Sequence, residues 1–147
     1  MVDIKSVARK VIQDETVAIQ NLINYIDDDF EAVVRLIYEN KGRVIITGIG
    51  KSAIIATKIV ATMNSTGTPA VFMHGADAIH GDLGMIREED VVICVSKSGN
   101  TPEIKVLIPL IRNNGNNNIV AMVSNTDSFL AKNSLYVLKA KVEKEAC

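Results

Sequence analysis

The sequence predicts an α/β protein, a three-layer α-β-α sandwich built on a five-stranded parallel sheet. Three observations carry that expectation. Five short runs, "RVIITG", "PAVFM", "VVICVS", "IVAMVS" and "LYVLKA", are apolar throughout and do not alternate with polar residues, as strands buried on both faces require. Segments of helical period stand between several of them. Turns rich in glycine, serine, threonine or asparagine follow the first four.

The elements follow in order. Ile4, Val7, Ala8, Val11, Ile12, Ile19, Leu22, Ile23 and Ile26 recur mostly at three- and four-residue steps, which predicts one long amphipathic helix or two that nearly join. "DDD" at 27–29 supplies an N-cap for a shorter helix carrying Phe30, Val33, Val34, Ile37 and Tyr38, and "NKG" at 40–42 ends it. The first strand is placed at 44–48. A helix follows from about Ser52 to Ser65, with Ile54, Ile55, Ile59, Val60 and Met63 read as its core stripe. The second strand is expected at 70–73, then a loop to about Glu89, then a strand at 91–96. Pro102 suits the first turn of the helix "PEIKVLIPLIRN", because a proline there forfeits no helical hydrogen bond. Pro109 lies deeper and is placed to kink it. A strand at 119–123, the short helix "DSFLAKN" and a strand at 135–139 complete the pattern.

Composition narrows the function. With 147 residues the chain suffices for one domain with its own core. Aromatic residues are only 4% and Trp is absent, so that core must be Ile, Val, Leu, Ala and Met. A formal net charge of -1 leaves no excess of positive charge for a nucleic-acid backbone. Cys94, inside an apolar run, reads as a small buried hydrophobe, and two cysteines make no disulfide framework. The N-terminus lacks a signal peptide's apolar stretch, and the most apolar long segment, 53–63, is too short to span a bilayer and is interrupted by Lys58. A soluble protein of a reducing, intracellular compartment is expected.

The strand ends carry the chemistry. In an open parallel sheet ligands bind beyond the carboxyl ends of the strands, and here those ends read "TGIGKS", "MHGADAIHGD", "SKSGNT" and "SNTDS". Helix N-termini after the first, third and fourth favour an anion, and the hydroxyls of Ser52, Ser96, Ser98 and Thr101 add donors. A P-loop is excluded because Ile45 stands where its first glycine belongs. Gly48, Gly50 and Ala53 give G-x-G-x-x-A, but the second strand ends in "VFMHG" without the acid that anchors a dinucleotide's ribose. A tight turn with no ligand stays an alternative for the first of these turns.

Taken in order, "GxGKS", "STGTPA", "HGDLGMI", "SxSGxTxE" and "VExEAC" resemble the sugar isomerase (SIS) domain and, within it, the arabinose-5-phosphate isomerase family, over essentially the whole chain, 1–147. The resemblance implies a flavodoxin-like strand order 2-1-3-4-5. It implies interconversion of ribulose 5-phosphate and arabinose 5-phosphate in a cytoplasmic homo-oligomer, without a cofactor. Its partner would be a phosphorylated sugar, with neither nucleic acid nor membrane. Lys51, Glu103, Glu145 and His80 match catalytic or substrate-binding positions. The phosphate would be held by Ser96, Ser98, Thr101 and neighbouring backbone, including Gly99, with Gly50 and Ser52 of the first turn. Gly67 and Thr68 match a substrate-contacting pair, and His74 a substrate-loop position reported as a metal-binding histidine. Relatives often read "SNSGET" where this chain has "SKSGNT", so Lys97 and Asn100 alter the phosphate turn. The family also continues past Cys147 with a serine/threonine-rich segment, a further histidine and often paired CBS domains. A non-catalytic phosphosugar sensor and an isomerase of another ketose phosphate, such as a hexulose 6-phosphate, are the alternatives.

Plainer roles stand beside these. Lys51 also suits a solvated helix start, Glu103 complements a helix dipole, and Glu143 and Glu145 suit a charged surface. His74 and His80, with Asp77 and Asp82 nearby, match no structural zinc spacing.

Overall fold

A computed structural model describes residues 2–142. Five parallel strands, β1 (Val44–Gly48), β2 (Ala70–His74), β3 (Val91–Val95), β4 (Ile119–Val123) and β5 (Tyr136–Lys139), lie in the order β2-β1-β3-β4-β5. The register sets Val44 opposite both Ala70 and Val91, so β2, β1 and β3 start level and end level. Every residue of β1 and β3 is buried, which is why those runs are apolar without alternation.

Successive side chains of β1 enter different cores. Ile45 joins Met73, Cys94, Ile104, Leu107, Ile108 and Leu130 on the face covered by α4 (Gly75–Ile79), α5 (Pro102–Asn113) and α6 (Phe129–Lys132). Val44 and Ile46 join Val33, Ala56 and Ile93 on the face covered by α2 (Asp28–Glu39) and α3 (Lys51–Ser65). The cap expected from the aspartates at 27–29 is in place, and Thr101 supplies a second. Asp27 accepts the Phe30 N–H at 3.1 Å, and Thr101 accepts the Ile104 N–H at 3.5 Å. Asp29 adds a tertiary bond, taking the Val137 N–H of the edge strand β5 at 2.8 Å.

Several expectations are corrected. The stretch after β2 is not all loop: α4 and a 3-10 turn (Asp82–Met85) occupy it. Ile54 and Ile55 are not core; they are 71% and 54% exposed, and Ala53 and Ala56 face inward instead. Ile59, Val60 and Met63 do pack against the core. The N-terminal periodicity resolves into α1 (Ile4–Asn21) and a 3-10 turn (Leu22–Tyr25), and no residue of α1 is buried. The helix α5 runs on through Pro109, which is exposed. Cys94 is buried as expected, and burial pushes its thiol up to about 12. No helix among the described residues is long and apolar enough to cross a membrane.

A polar knot closes the amino edge of the sheet. Asp90 is fully buried. Its carboxylate accepts the Arg43 N–H at 2.8 Å, the Arg43 guanidinium at 2.8 Å and the Arg87 N–H at 2.9 Å. Asn116, also fully buried, donates to the Asp90 carbonyl at 2.7 Å. Burial works to raise the Asp90 carboxyl, but these bonds and the Arg43 charge outweigh it, and the group sits below its ordinary value. A lowered folded value means stability present above the unfolded value and lost as pH falls through the folded one. Asp90→Ala leaves Arg43 with no carboxylate and is expected to cost about 3–5 kcal/mol in urea denaturation near neutral pH. The gap between wild type and variant should narrow as pH falls below the ordinary carboxylate range, where the unfolded chain takes up the proton first and the folded Asp90 only at lower pH.

Candidate functional site

The chain leaves β1 and β3 toward opposite faces, α3 on one and α5 on the other. The crevice between the two carboxyl ends is therefore the switch point at which open α/β sheets take ligands. A cavity of about 550 Å³ lies there. Ile49, Val95 and Ile104 form its apolar floor, Ser52 enters from the first turn, and Ser96, Lys97, Ser98 and Thr101 from the turn after β3. Ser124 and Asn125 follow β4, and Lys141 and Val142 follow β5. Among the described residues, no Asp or Glu lines it.

Backbone geometry explains the small residues. A Cβ on Gly48 would stand 2.8 Å from the Ser52 carbonyl carbon, so only glycine lets the first turn of α3 close this tightly. Gly50 caps α3 without a side-chain hydrogen bond, which leaves first-turn N–H groups open to a ligand. In the second turn Ser96 Oγ, itself nearly buried, accepts the Gly99 N–H at 3.1 Å, and Ser98 Oγ accepts the Asn100 N–H at 3.3 Å. Both hydroxyls keep their own proton to donate. Asn100 Oδ1 takes the Phe129 N–H at 2.8 Å and so ties this turn to α6.

The sequence-predicted residues divide. Ser52, Ser96, Ser98 and Thr101 share the cavity, with Gly50 and Gly99 in the same two turns. Lys51 is exposed at the start of α3, and Glu103 is half-buried in the first turn of α5; neither lines the cavity. His74 ends β2, and its Nδ1 accepts the Ala76 N–H at 3.3 Å. The Asp77 carboxylate stands 3.9 Å from the same Nδ1. His80 is exposed at the end of α4. Gly67 and Thr68 precede β2 and stand at the amino edge, away from the cavity within this chain. Glu145 lies outside the described residues. No three His, Cys, Asp or Glu side chains among the described residues are grouped to hold a metal ion.

Two features escaped the sequence. Lys141 reaches the cavity from the end of β5, a strand whose following turn holds no glycine or serine to draw notice. Thr47 is fully buried, and its Oγ1 has no hydrogen-bond partner among the described residues.

Comparison with known proteins decides the family. The model of the SIS domain matches residues 36–147. The chain belongs to the SIS domain family. It is 45% identical over 140 residues, 95% of its length, to an arabinose 5-phosphate isomerase of Pseudomonas aeruginosa, and covers 43% of that protein. It is 48% identical over 136 residues, 90% of its length, to an arabinose 5-phosphate isomerase of Francisella tularensis, and covers 41% of that one. The chain thus spans about two-fifths of the length of these curated relatives. The fold superposes with a TM-score of 0.92 on an Escherichia coli CFT073 protein solved in complex with arabinose 5-phosphate. Sequence identity there is 35%, over 99% of this chain and 77% of the other. The strand order implied by the SIS resemblance is the one observed.

Gly99 gives this SIS turn its sharpest test. Its φ is +63°, and an added Cβ would stand 2.6 Å from Ser128 Cβ, a fully buried residue. Gly99→Ala should destabilise the fold by about 1–3 kcal/mol in thermal unfolding, from the strained φ and the displaced Ser128. Gly115→Ala, with φ +92° and open space around it, isolates the backbone share of that loss.

Proposed function

We propose that this chain binds a pentose phosphate at the carboxyl edge of its sheet and works as an aldose–ketose isomerase between D-ribulose 5-phosphate and D-arabinose 5-phosphate. The observation that carries this reading is the hydroxyl-lined cavity, with no acid among its described lining residues, at the β1/β3 crevice of a chain 45% and 48% identical to arabinose 5-phosphate isomerases. Ser52, Ser96, Ser98 and Thr101 donate to the phosphate, with the backbone of Gly50 and Gly99 beside them. The open N–H groups of α3 favour the same anion.

The reaction moves one proton. A base takes it from the carbon next to the carbonyl, a cis-enediol forms, and the proton returns to the neighbouring carbon while the hydroxyl and carbonyl oxygens exchange hydrogen. The change is redox-neutral overall, so the chemistry calls for no electron-accepting cofactor. Glu103, Glu145, His80 and Lys51 are the acid–base and charge-stabilising candidates, with His74, Gly67 and Thr68 as sugar contacts. Gly67 and Thr68 reach a ligand only if a second copy presents its amino edge to the cavity.

Self-association belongs to the same reading. Ile4, Ile12, Ile19 and Ile23 of the N-terminal helix and its 3-10 extension are all exposed, and such an unpaired apolar stripe suits a subunit contact.

Incubation of the 147-residue chain with D-ribulose 5-phosphate should yield D-arabinose 5-phosphate, read by chromatography. The paired change Ser96→Ala and Ser98→Ala should weaken pentose-phosphate binding by calorimetry, each lost hydrogen bond to the charged group being worth ~1.5–3 kcal/mol. Lys51→Ala should lower turnover more than tenfold, about 1.4 kcal/mol, while leaving the melting temperature nearly unchanged. Binding without product would remove the isomerase from this reading and leave a phosphosugar sensor. Preference for a hexulose 6-phosphate would replace the substrate.

Light scattering at micromolar concentration should give a mass above the 15.9 kDa of one chain. The paired change Ile12→Lys and Ile19→Lys should lower that mass. A monomeric wild type would refute the assembly.

A further inference from the structure

Ser96, Ser98 and Thr101 can present their hydroxyls to one anion only while the turn that carries them keeps one shape. The bonds these hydroxyls make are local. Ser96 Oγ accepts the Gly99 N–H at 3.1 Å, Ser98 Oγ the Asn100 N–H at 3.3 Å, and Thr101 Oγ1 the Ile104 N–H at 3.5 Å. Each spans two or three residues of chain. Bonds of that kind shape a turn from within, but they do not fix it against the rest of the molecule.

The start of α6 supplies a distant hold. The Leu130 N–H donates to the Gly99 carbonyl at 3.0 Å, and the Phe129 N–H donates to Asn100 Oδ1 at 2.8 Å. Phe129 and Leu130 open α6, so neither N–H has a partner within the helix. Two successive residues of the turn therefore take two successive orphan donors of α6, one through a carbonyl that any residue would offer and one through the Asn100 side chain. The helix is itself anchored. Leu130 and Ala131 are buried, and the Arg112 guanidinium at the end of α5 donates to the Asn133 carbonyl at 2.9 Å. Asn100 is exposed and does not line the cavity, so its side chain is spent on α6 rather than on a ligand.

We propose that Asn100 is a positioning residue of the phosphate site: by taking the Phe129 N–H it holds the Ser96–Thr101 turn against α6 in the shape that binds the anion. This role rests on the phosphosugar reading of the turn. It also couples the two elements, because a ligand that prefers the held turn must strengthen the Asn100–Phe129 bond by the same free energy with which that bond strengthens the ligand.

Calorimetric titration of the 147-residue chain with D-arabinose 5-phosphate tests it. Asn100→Ala should weaken binding about fivefold. Phe129→Pro deletes the same bond from the other side: the first residue of a helix tolerates proline, and Ser128, at φ −70° and ψ 161°, already has the extended backbone that precedes one. It should weaken binding as much, and the double variant no more than either alone, since both remove one bond. Phe129→Ala loses the ring but keeps the N–H and should bind as wild type does. So should Asn133→Ala, which removes a 2.9 Å bond from the Asn133 amide to the Phe129 carbonyl and leaves the turn alone. Saturating ligand should slow hydrogen exchange of the Phe129 N–H in the wild type and not in Asn100→Ala. An equal loss in Asn133→Ala overturns the proposal in favour of a general loosening of α6. Additive losses in the double variant overturn the shared bond as the cause. If the wild type does not bind the ligand, the phosphosugar reading falls and takes this role with it. If the wild type binds and Asn100→Ala binds as tightly, only the role of Asn100 falls.

Discussion

The side-by-side pairing of β1 with β3 is the constraint on which the site depends. The two strands run parallel and end level, so the chain must leave both at one edge. Parallel neighbours also need crossovers, and here the helix after β1 covers one face while the helix after β3 covers the other. Diverging connections open a crevice between the strand ends. Ser52 enters it from one side and the Ser96–Thr101 turn from the other. No single turn builds the cavity. Gly48 matters because it keeps the first turn tight against Ser52, and Gly99 because it lets the second turn pass over Ser128.

The two edges of the sheet do different work. At the amino edge the buried Asp90 carboxylate is saturated with donors from Arg43 and Arg87, and Asn116 binds its carbonyl. Arg43 also donates to the Met85 carbonyl at 2.6 Å, and Asn114 to the Leu83 and Ile86 carbonyls, so the same network fastens the return from the α4 region to β3. Its polar groups are spent on one another. At the carboxyl edge Ser96 and Ser98 accept backbone N–H groups yet retain donors, and the helix α3 begins without a side-chain cap. Polar capacity left over at one edge and consumed at the other separates a ligand site from a structural clasp.

The sequence was most legible where period and punctuation agreed. All five strands fell within a residue or so of their predicted bounds, because fully buried parallel strands are apolar runs and each stops at a turn. The helix Pro102–Asn113 announced itself by its N1 proline. The helix Gly75–Ile79 did not, being too short to display a period and beginning on glycine. Ile54 and Ile55 misled because a helical stripe of isoleucine has the same pattern whether it faces the core or solvent. In that helix the buried positions are two alanines, Ala53 and Ala56, with Ile59, Val60 and Met63 packing against the core further along. The placement of Gly67 and Thr68 follows from polarity alone: residues just before a parallel strand stand at its amino edge, opposite the turns that bind the anion.

Charge shows the same gap between average and arrangement. A net charge of -1 argues correctly against a polyanion, whose binding needs an extended positive surface. It says nothing about an anion with the footprint of one phosphate. Such a ligand responds to the few groups within hydrogen-bond and Coulomb reach, and salt screens the rest beyond about 8–10 Å. The described lining of the carboxyl-edge cavity contains two lysines and no carboxylate, while most of the chain's acids stand elsewhere. That segregation follows from topology. Acidic residues are useful as caps and in the amino-edge clasp, as Asp27, Asp29 and Asp90 are, and each of these is committed to a backbone N–H of its own. Among the described residues the carboxyl strand ends are left with small hydroxyl residues and the uncapped start of α3, groups that suit an anion with the footprint of one phosphate.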